Sequence, residues 1–305
     1  MIFMLNARTS FLGEEDKRAY VAECEKKFEH ALDCAVEKII SAESNRIITL
    51  SGPSCSGKTT TANKIVSEFE ERGKRVHVIS IDDFYYDRDF LIKQAEKNGT
   101  SLDFDSADTI DLAELEKTIE SIFCEDTVKI PVFDFKSGKR IKEKEFILDD
   151  KDIFVFEGIQ AVYPEVTRLF KAHPYFSVFA YVCEDLKVGD YVFDKNTVRF
   201  FRRLVRDYNF RNATPEFTFK LWESVRQNEE HNILPFVDDC DVLLNSLMPY
   251  EINMLKPYLV PLLSEITESS VHFAYASEML EKLEPLEEIS REYIPSNSVY
   301  REFLG

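Results

Sequence analysis

Residues 52–59 have the composition and spacing of a loop that binds phosphate. They read Gly-Pro-Ser-Cys-Ser-Gly-Lys-Thr, which satisfies GxxxxGK(S/T), and they lie between a short β-branched run and a helical stretch. In such a loop the backbone N–H groups and the helix N-terminus surround a β-phosphate, the lysine reaches the β and γ oxygens, and the threonine hydroxyl binds Mg²⁺. The alternative is a tight turn that contains a lysine by chance. The predicted nucleotide-binding residues are Gly52, Ser54, Cys55, Ser56, Gly57, Lys58, Thr59 and Thr60.

Acidic residues follow two other apolar runs. Asp82 and Asp83 come directly after residues 76–81, and Glu157 comes directly after residues 152–156. Ligands of open α/β sheets bind beyond the carboxyl ends of the strands. A carboxylate at that edge can accept the proton of an attacking hydroxyl group or hold Mg²⁺. We therefore predict Asp82 as general base and Mg²⁺ contact and Glu157 as a second Mg²⁺ contact; the alternative for each is a helix cap.

Four arginines, Arg199, Arg202, Arg203 and Arg206, recur at the spacing of one helix face. So much positive charge in an acidic chain needs a partner. One interpretation is a lid (residues 198–216) whose Arg202, Arg203 and Arg206 close over a transferring phosphoryl group and neutralise its charge. The alternative is a face of ion pairs with neighbouring acids, namely Asp194, Asp207 or Glu216.

Three aromatic residues, Tyr85, Phe133 and Phe135, lie in segments that should border the same cleft. A planar ligand could stack on them, and core packing is the alternative for each. The two phenylalanines belong to a segment with two apolar runs around a Lys-Ser-Gly-Lys turn. This pattern predicts a β-hairpin, the flap (residues 128–148), which projects from the main sheet.

The elements that must position these residues alternate between strand and helix. This order is typical of a doubly wound α/β fold, in which a parallel sheet carries helices on both faces. The predicted strands are residues 46–51, 75–81, 152–156, 175–182 and 242–244. The predicted helices are residues 14–42, 58–72, 112–123 and 162–171, a helical region at 198–231 and two stretches after Tyr250.

Composition excludes several classes of protein. The chain has 305 residues, 44% of them hydrophobic, so it can bury a sizeable core. Its 56 acidic and 38 basic residues give a net charge of -18, which repels nucleic acid and anionic lipid. No apolar stretch approaches the about 20 residues that span a bilayer. The six scattered cysteines lack metal-site spacing, which favours reduced thiols and a cytoplasmic location.

The ordered motifs of residues 46–250 resemble the uridine kinase and phosphoribulokinase family of P-loop kinases, and a bacterial branch of uridine-kinase-like nucleoside kinases in particular. The matching blocks are residues 52–59, 81–86, 103–108, 130–135, 156–159 and 202–207. The resemblance implies phosphorylation of a 5'-hydroxyl group by ATP and Mg²⁺. It matches Asp82 to the catalytic aspartate, Glu157 to a metal contact and Asp105 to a ribose-hydroxyl contact. It also implies that Tyr85, Phe133 and Phe135 contact the acceptor.

These motifs together predict a kinase of a nucleoside-like small molecule, in which Lys58 and Arg202, Arg203 and Arg206 stabilise the phosphates. We expect a kinase domain at 46–250 between helical extensions at 1–45 and 251–305. Because Phe133 and Gly138 stand where uridine kinases carry polar side chains, discrimination among bases should be weak. Alternative acceptors are those of phosphoribulokinase- or pantothenate kinase-like enzymes, and a non-catalytic nucleotide-binding module is the alternative class. A homo-oligomer is compatible with the sequence.

Overall fold

The computed structural model describes residues 4–42, 46–99 and 106–305. Its strands are β1 (Met4–Ala7), β2 (Ile47–Ser51), β3 (Arg75–Ser80), β4 (Thr127–Asp134), β5 (Lys139–Ile147), β6 (Asp152–Glu157), β7 (Tyr175–Tyr181), β8 (Asp185–Val188), β9 (Tyr191–Phe193) and β10 (Val242–Asn245). Its helices are α1 (Glu14–Ser41), α2 (Lys58–Glu71), α3 (Arg88–Asn98), α4 (Leu112–Cys124), α5 (Pro164–Phe170), α6 (Lys195–Arg211), α7 (Pro215–Asn232), α8 (Glu251–Ser264), α9 (Phe273–Leu283) and α10 (Arg301–Leu304).

The central sheet has five parallel strands in the spatial order β10-β7-β2-β6-β3. Strand β2 lies in the middle, with Leu50 opposite Val178 of β7 on one side and Glu157 of β6 on the other. The chain leaves β2 through the phosphate-binding loop and returns in β3 at the sheet edge, beyond β6. The loop therefore opens at the place where the strand order reverses, which is where doubly wound sheets bind ligands. The predicted α/β fold is confirmed.

The two faces of the sheet bury separate hydrophobic clusters. Alternate residues of a strand point to opposite faces, and accordingly Ile48 and Leu50 join one cluster while Ile47 joins the other. The first cluster is covered by α1, α2, α6, α8, α9 and α10, and the second by α4, α5 and the base of the β4–β5 hairpin. Burial on both faces explains why residues 47–50 of β2 are β-branched residues and leucine instead of an alternating pattern.

The hairpin of β4 and β5 confirms the predicted flap. It pairs antiparallel from Thr127 opposite Ile147 to Asp134 opposite Lys139, with a bulge between Val132 and Phe133. The bulge shifts the register just before the aromatic tip of the hairpin. The helical region predicted at 198–231 is two helices, because Asn212 adopts a left-handed conformation (φ 52°) and Pro215 starts α7.

Three features of the fold were not predicted. Helix α3 is one, and the others involve the two ends of the chain. Strand β1 pairs in parallel with β8 in a small sheet that also contains β9. At the other end, α10 packs against α6 and α2, so both terminal segments contact the central part of the fold. Among the described residues, no helix is both long and apolar enough to cross a membrane.

Candidate active site

The phosphate-binding loop has the backbone geometry that its two glycines permit. A Cβ atom on Gly52 would lie 2.0 Å from the carbonyl oxygen of Ala180, so only glycine fits there. Gly57 precedes α2 with φ 84°, in the left-handed region that favours glycine. Cys55 also has a positive φ, of 59°. The first glycine is therefore required by a close approach to β7, and the second by the sharp entry into the helix.

The N-terminus of α2 is open toward the loop. No side chain caps it, and no acidic residue stands in its first turn. The buried hydroxyl group of Ser56 has no hydrogen-bond partner among the described residues. Lys58 Nζ donates to the carbonyl oxygen of Pro53 at 3.1 Å, and Thr59 follows it with an exposed side chain. Uncapped amides, an unpaired hydroxyl group and a lysine at one helix N-terminus form a site suited to a phosphate group.

Lys58 also lies in the field of nearby carboxylates. Burial lowers the pKa of Lys58, and the carboxylates of Glu157 and Glu302 oppose this effect. Glu157 comes from the end of β6, as predicted, whereas Glu302 comes from α10 at the opposite end of the chain. These electrostatic interactions show that all three side chains lie in one region.

The arginine face of α6 meets the phosphate-binding loop from its outer side. Arg199 donates to the carbonyl oxygen of Ser54 through Nε at 3.2 Å and Nη2 at 2.9 Å. Arg202 Nη1 donates to the carbonyl oxygen of Cys55 at 3.2 Å. Because the C=O and N–H groups of a trans peptide point in opposite directions, the amide of Cys55 points away from α6. These arginines therefore orient the loop.

Helix α6, the predicted lid, has a buried arginine face in this structure. Its four arginines are at most 9% exposed, and Phe201 and Leu204 on the other side of the helix are 0% exposed. Arg202 is 0% exposed, and its Nε and Nη2 donate to Glu251 at 2.5 and 2.8 Å. It also donates to Ser246, through Nη1 to Oγ at 3.0 Å and through Nη2 to the carbonyl oxygen at 2.9 Å. All of these hydrogen bonds are buried within the protein, so Arg202 supports the loop from its buried side.

Arg203 and Arg206 occupy a different position from Arg202, at the side of the loop. Arg203 Nη1 donates to Ser54 Oγ at 3.2 Å. Both arginines pair with the carboxylate of Asp207, Arg203 through Nε at 3.2 Å and Arg206 through Nη2 at 2.7 Å. The ion pairs that were the alternative to a lid are therefore present for Asp207, together with the unforeseen partners Glu229 for Arg199 and Glu251 for Arg202.

The C-terminal segment packs beneath the phosphate-binding loop. Sequence analysis did not predict this contact. Tyr300 is fully buried; its hydroxyl group donates to Glu251 at 2.5 Å and accepts from Arg202 Nη2 at 3.3 Å. A Cβ atom on Gly57 would lie 3.4 Å from Val299 Cβ. Glu302 Oε2 is buried without a hydrogen-bond partner among the described residues. Partners nearly 100 positions apart leave no local signal in a single sequence.

The two acids after β3 have different roles in the structure. Asp83 Oδ1 accepts the backbone N–H of Phe133 at 2.9 Å, so Asp83 fastens the flap to the sheet. Asp82 faces the loop, where burial and then the Glu157 carboxylate raise its pKa. Burial likewise raises the pKa of Glu157, which Lys58 opposes. The structure thus brings Asp82, Glu157 and Lys58 together, as predicted. The Asp83 carboxylate also raises the pKa of Asp82 and Glu157, but it is bonded to the flap.

An amide that the sequence analysis did not single out holds Asp82. Gln160 is 3% exposed and follows Glu157 by three residues. Its Nε2 donates to Asp82 Oδ1 at 3.2 Å and to the hydroxyl oxygen of Tyr85 at 2.6 Å. Gln160 therefore connects the candidate base to an aromatic wall of the cleft.

The three aromatic residues predicted at the cleft form one cluster. The ring centroids of Tyr85 and Phe133 lie 5.7 Å apart, and those of Phe133 and Phe135 lie 5.2 Å apart. Phe135 at the tip of the flap remains 59% exposed. A planar ligand thus has an aromatic surface beside Asp82. Asp105, which the resemblance places at a ribose, lies outside the described residues.

The residues at the loop are compatible with MgATP. Mg²⁺ in such sites is held by one or two carboxylates together with substrate phosphates. Asp82 and Glu157 supply two carboxylates, and the charge of Glu157 raises the pKa of Asp82, a repulsion that a cation would relieve. Among the described residues, no group of three or more acids, histidines or cysteines is arranged as a metal cage. Phosphate oxygens and the Thr59 hydroxyl group would have to complete the coordination.

A phosphate-binding loop at the switch point of a parallel sheet, with two acids at the neighbouring strand ends, defines a P-loop protein of the phosphoryl-transfer type. The family model described as "Phosphoribulokinase / Uridine kinase family" matches residues 47–253. The chain belongs to this family and is a kinase.

Curated relatives agree with this assignment, and a solved structure has a similar fold. Uridine kinase of Ureaplasma urealyticum serovar 10 is 29% identical over 185 residues, which are 61% of this chain and 80% of that protein. Uridine-cytidine kinase B of Dictyostelium discoideum is 28% identical over 199 residues, 65% of this chain and 73% of that protein. The solved structure of the YGR205w protein matches with a TM-score of 0.51 at 18% identity, over 68% of this chain and 89% of that one. This last likeness concerns the fold alone.

Proposed function

We propose that this kinase transfers the γ-phosphoryl group of ATP, in the presence of Mg²⁺, to the 5'-hydroxyl group of a nucleoside. One observation carries the proposal: the loop lysine, Lys58, shares a site with Asp82, and Gln160 ties Asp82 to the aromatic cluster of the cleft. A phosphate-binding site, a general base and an aromatic surface for a planar acceptor are thus adjacent. The relatives named as uridine and uridine-cytidine kinases support a nucleoside as the acceptor.

In the proposed reaction the acceptor oxygen attacks the γ-phosphorus and the bond from that phosphorus to the β–γ bridging oxygen breaks, which releases ADP. The hydroxyl proton passes to Asp82, whose raised pKa suits a base that must bind a proton. Lys58 neutralises charge on the β and γ oxygens, and Arg203 and Arg206 add positive charge beside the loop. Asp82, Glu157 and Thr59 are the residues that would hold Mg²⁺, which would supply Lewis-acid chemistry at the phosphates. Arg202 does not contact the phosphates; it holds the loop in place through its hydrogen bond to the carbonyl oxygen of Cys55.

The acceptor is proposed to be a ribonucleoside with little discrimination among bases. Phe133 faces its neighbours Tyr85 and Phe135 and offers no polar atom. At Gly138, a Cβ atom would lie 2.9 Å from Arg88 Cβ, so a larger side chain would have to displace Arg88. Asp105 is proposed to contact the ribose hydroxyls. The kinase domain is proposed as residues 46–250, with the outer segments supporting it.

A phosphorylated acceptor, as in a phosphoribulokinase-like reaction, is disfavoured by charge. The net charge of -18 repels it, and Arg199 and Arg202 of α6, which could offset this, are already paired with Glu229 and Glu251. All six cysteines are free thiols, which supports the proposal that the enzyme acts in a reducing cytoplasm.

The test is ATP consumption with uridine, cytidine, adenosine, inosine, thymidine, ribulose 5-phosphate and pantothenate, beside an acceptor-free control. Turnover with several ribonucleosides, within about tenfold of one another, is expected. Asp82→Asn is the negative variant and Asp83→Asn its matched control. Turnover only with ribulose 5-phosphate or pantothenate would reassign the acceptor, and equal ATP consumption with and without every acceptor would contradict the proposal.

A further inference from the structure

The side-chain amide of Gln160 is buried at the junction of the two halves of the site. One of its neighbours is the candidate base, at 3.2 Å from Nε2 to Asp82 Oδ1, and the other is the cleft residue Tyr85, at 2.6 Å from Nε2 to its hydroxyl oxygen. The orientation of the amide follows from charge. If its oxygen faced Asp82 Oδ1, two acceptors would repel each other, so the NH₂ group must face the carboxylate.

The local chain is shaped around this amide. Gln160 lies in a 3-10 turn, Ile159–Val162, directly after β6, so the strand that carries Glu157 also delivers Gln160 to the site. A Cβ atom on Gly158 would lie 3.2 Å from Gln160 Oε1 and 3.0 Å from Ile81 Cβ. Glycine at position 158 therefore leaves the space that the amide occupies.

The amide of Gln160 is held only by the hydrogen bonds that its nitrogen donates, as far as the described residues show. Gln160 Oε1 is buried and has no hydrogen-bond partner within residues 4–42, 46–99 and 106–305. An unpaired buried carbonyl oxygen carries a cost in stability, because it has lost its hydrogen bonds to water. An apolar side chain of similar size would avoid that cost, so stability alone does not account for an amide at this position.

We propose that Gln160 is the positioning residue of the general base, Asp82. Its amide holds one oxygen of the Asp82 carboxylate, so that the second oxygen meets the acceptor hydroxyl group. The same amide sets the distance between the Asp82 carboxylate and Tyr85 in the aromatic wall of the cleft. This inference rests on the proposed function and deepens it. Gln160 does not exchange a proton, because an amide neither gains nor loses one in this pH range. Its contribution is the fixed geometry that proton transfer requires.

The first test is the kinetics of Gln160→Leu, which keeps bulk and removes the amide. We expect kcat with the preferred acceptor to fall about 10–100-fold, while the Kd of ATP, measured by calorimetry, stays within about twofold. In Gln160→Glu, which keeps the shape and replaces the NH₂ donor by a carboxylate oxygen, kcat should fall at least as far. A kcat within threefold of wild type in either variant would overturn the proposal.

The chain offers a matched control in Asn253. This amide is also fully buried, its Nδ2 donates to the carbonyl oxygens of Arg8 and Glu287 at 2.9 Å each, and its Oδ1 has no partner among the described residues. It lies in α8, outside the candidate site. Asn253→Leu should change the melting temperature while kcat stays within twofold of wild type. Equal losses of kcat in the Gln160 and Asn253 variants would assign Gln160 a structural role only.

A double-mutant cycle separates this inference from the acceptor assignment. If Gln160 acts through Asp82, the double variant Asp82→Asn/Gln160→Leu should be no slower than Asp82→Asn alone. The same cycle measured on melting temperature needs no acceptor. There, the shifts of the single variants should fail to add, by about 2 °C or more. Additive shifts would refute the contact itself, whereas a failure of every nucleoside as acceptor, with non-additive shifts, would refute only the proposed function.

Discussion

The ion pair between Arg202 and Glu251 yields the most quantitative prediction about how the fold supports the site. Both side chains are 0% exposed, and Glu251 receives bonds from Arg202 Nε, Arg202 Nη2 and the Tyr300 hydroxyl group. Burial lowers the pKa of Arg202, but the Glu251 carboxylate outweighs it, so the net pKa is raised and the guanidinium stays charged. Glu251→Leu would therefore leave a buried cation without its counter-ion.

The expected loss follows from the burial. Breaking a fully buried pair by removing one partner costs about 3–5 kcal/mol of unfolding free energy, which corresponds to a fall in melting temperature of roughly 5–8 °C for a chain of this size. Urea unfolding at neutral pH measures it. The matched control is Glu278→Leu, which breaks the exposed pair of Glu278 and Lys282, where Glu278 is 56% exposed. That variant should lose less than about 1 kcal/mol.

A compensating variant separates stability from function. In Arg202→Met/Glu251→Leu both charges are absent, so most of the stability should return. The bond from Arg202 to the carbonyl oxygen of Cys55 is absent as well, so the Kd of ATP should stay several-fold weaker than in wild type. If Glu251→Leu loses no more stability than Glu278→Leu, the buried pair does not support the loop. Restored stability with wild-type ATP affinity would show that the Cys55 bond is dispensable.

Three further predictions concern single carboxylates. Asp82→Asn should lower kcat by about 10² or more with little change in ATP affinity, whereas Asp83→Asn should loosen the flap and leave kcat within a few-fold; the reverse order would mean that Asp83 is the base. Glu302→Gln removes a carboxylate that raises the pKa of Lys58 against burial, so ATP binding followed by calorimetry should weaken at a lower alkaline pH than in wild type, and an unchanged alkaline limb would exclude this interaction. Burial alone would raise the pKa of Asp152, but hydrogen bonds, that from Arg75 first, lower it to about 2 from 3.8. Above pH 4 this lowered pKa contributes about 2 kcal/mol to the free energy of unfolding, and the contribution is lost as the pH falls toward 2. In urea unfolding, Asp152→Asn should therefore be less stable than wild type at pH 7 and equally stable near pH 2. A difference that does not depend on pH would contradict this.

Local patterns were enough to predict the main sheet and the phosphate-binding loop. Strand β2 is a continuous buried run and helix α2 is amphipathic, and the loop between them needs glycine at Gly52 and Gly57 for reasons that a motif records. The short strands β1 and β9 were not predicted, because their four and three residues carry no clear pattern. Their pairing depends on residues that are far apart in the chain.

The arginines show where a sequence pattern reaches its limit. Helical spacing correctly places Arg199, Arg202, Arg203 and Arg206 on one face of α6. What covers that face is decided by Glu229 and Glu251, which lie 30 and 49 positions away in α7 and α8. A periodicity argument contains no such information, so it could not choose between a lid and a face of ion pairs.

Residues that hold others in place were the hardest to foresee. Gln160 contacts Asp82 across 78 positions, and Tyr300 contacts Arg202 across 98. Neither belongs to a motif of residue types that perform chemistry. Asp82 and Asp83, by contrast, were recognised as a pair, and the single bond from Phe133 N to Asp83 separates their roles.

The central claim is the transfer of phosphate to a nucleoside 5'-hydroxyl group, and the most direct test is identification of the product. The enzyme is incubated with MgATP and uridine, and ³¹P NMR and mass spectrometry determine where the phosphate is attached. Two controls accompany it: 5'-deoxyuridine, which lacks the reacting hydroxyl group, and Lys58→Ala, which should remain folded but lose turnover because the loop lysine no longer neutralises the β and γ oxygens. The account predicts uridine 5'-monophosphate and ADP in equal amounts from wild type and no nucleotide product from either control. Phosphate attached at another hydroxyl group, or undiminished turnover in Lys58→Ala, would contradict it.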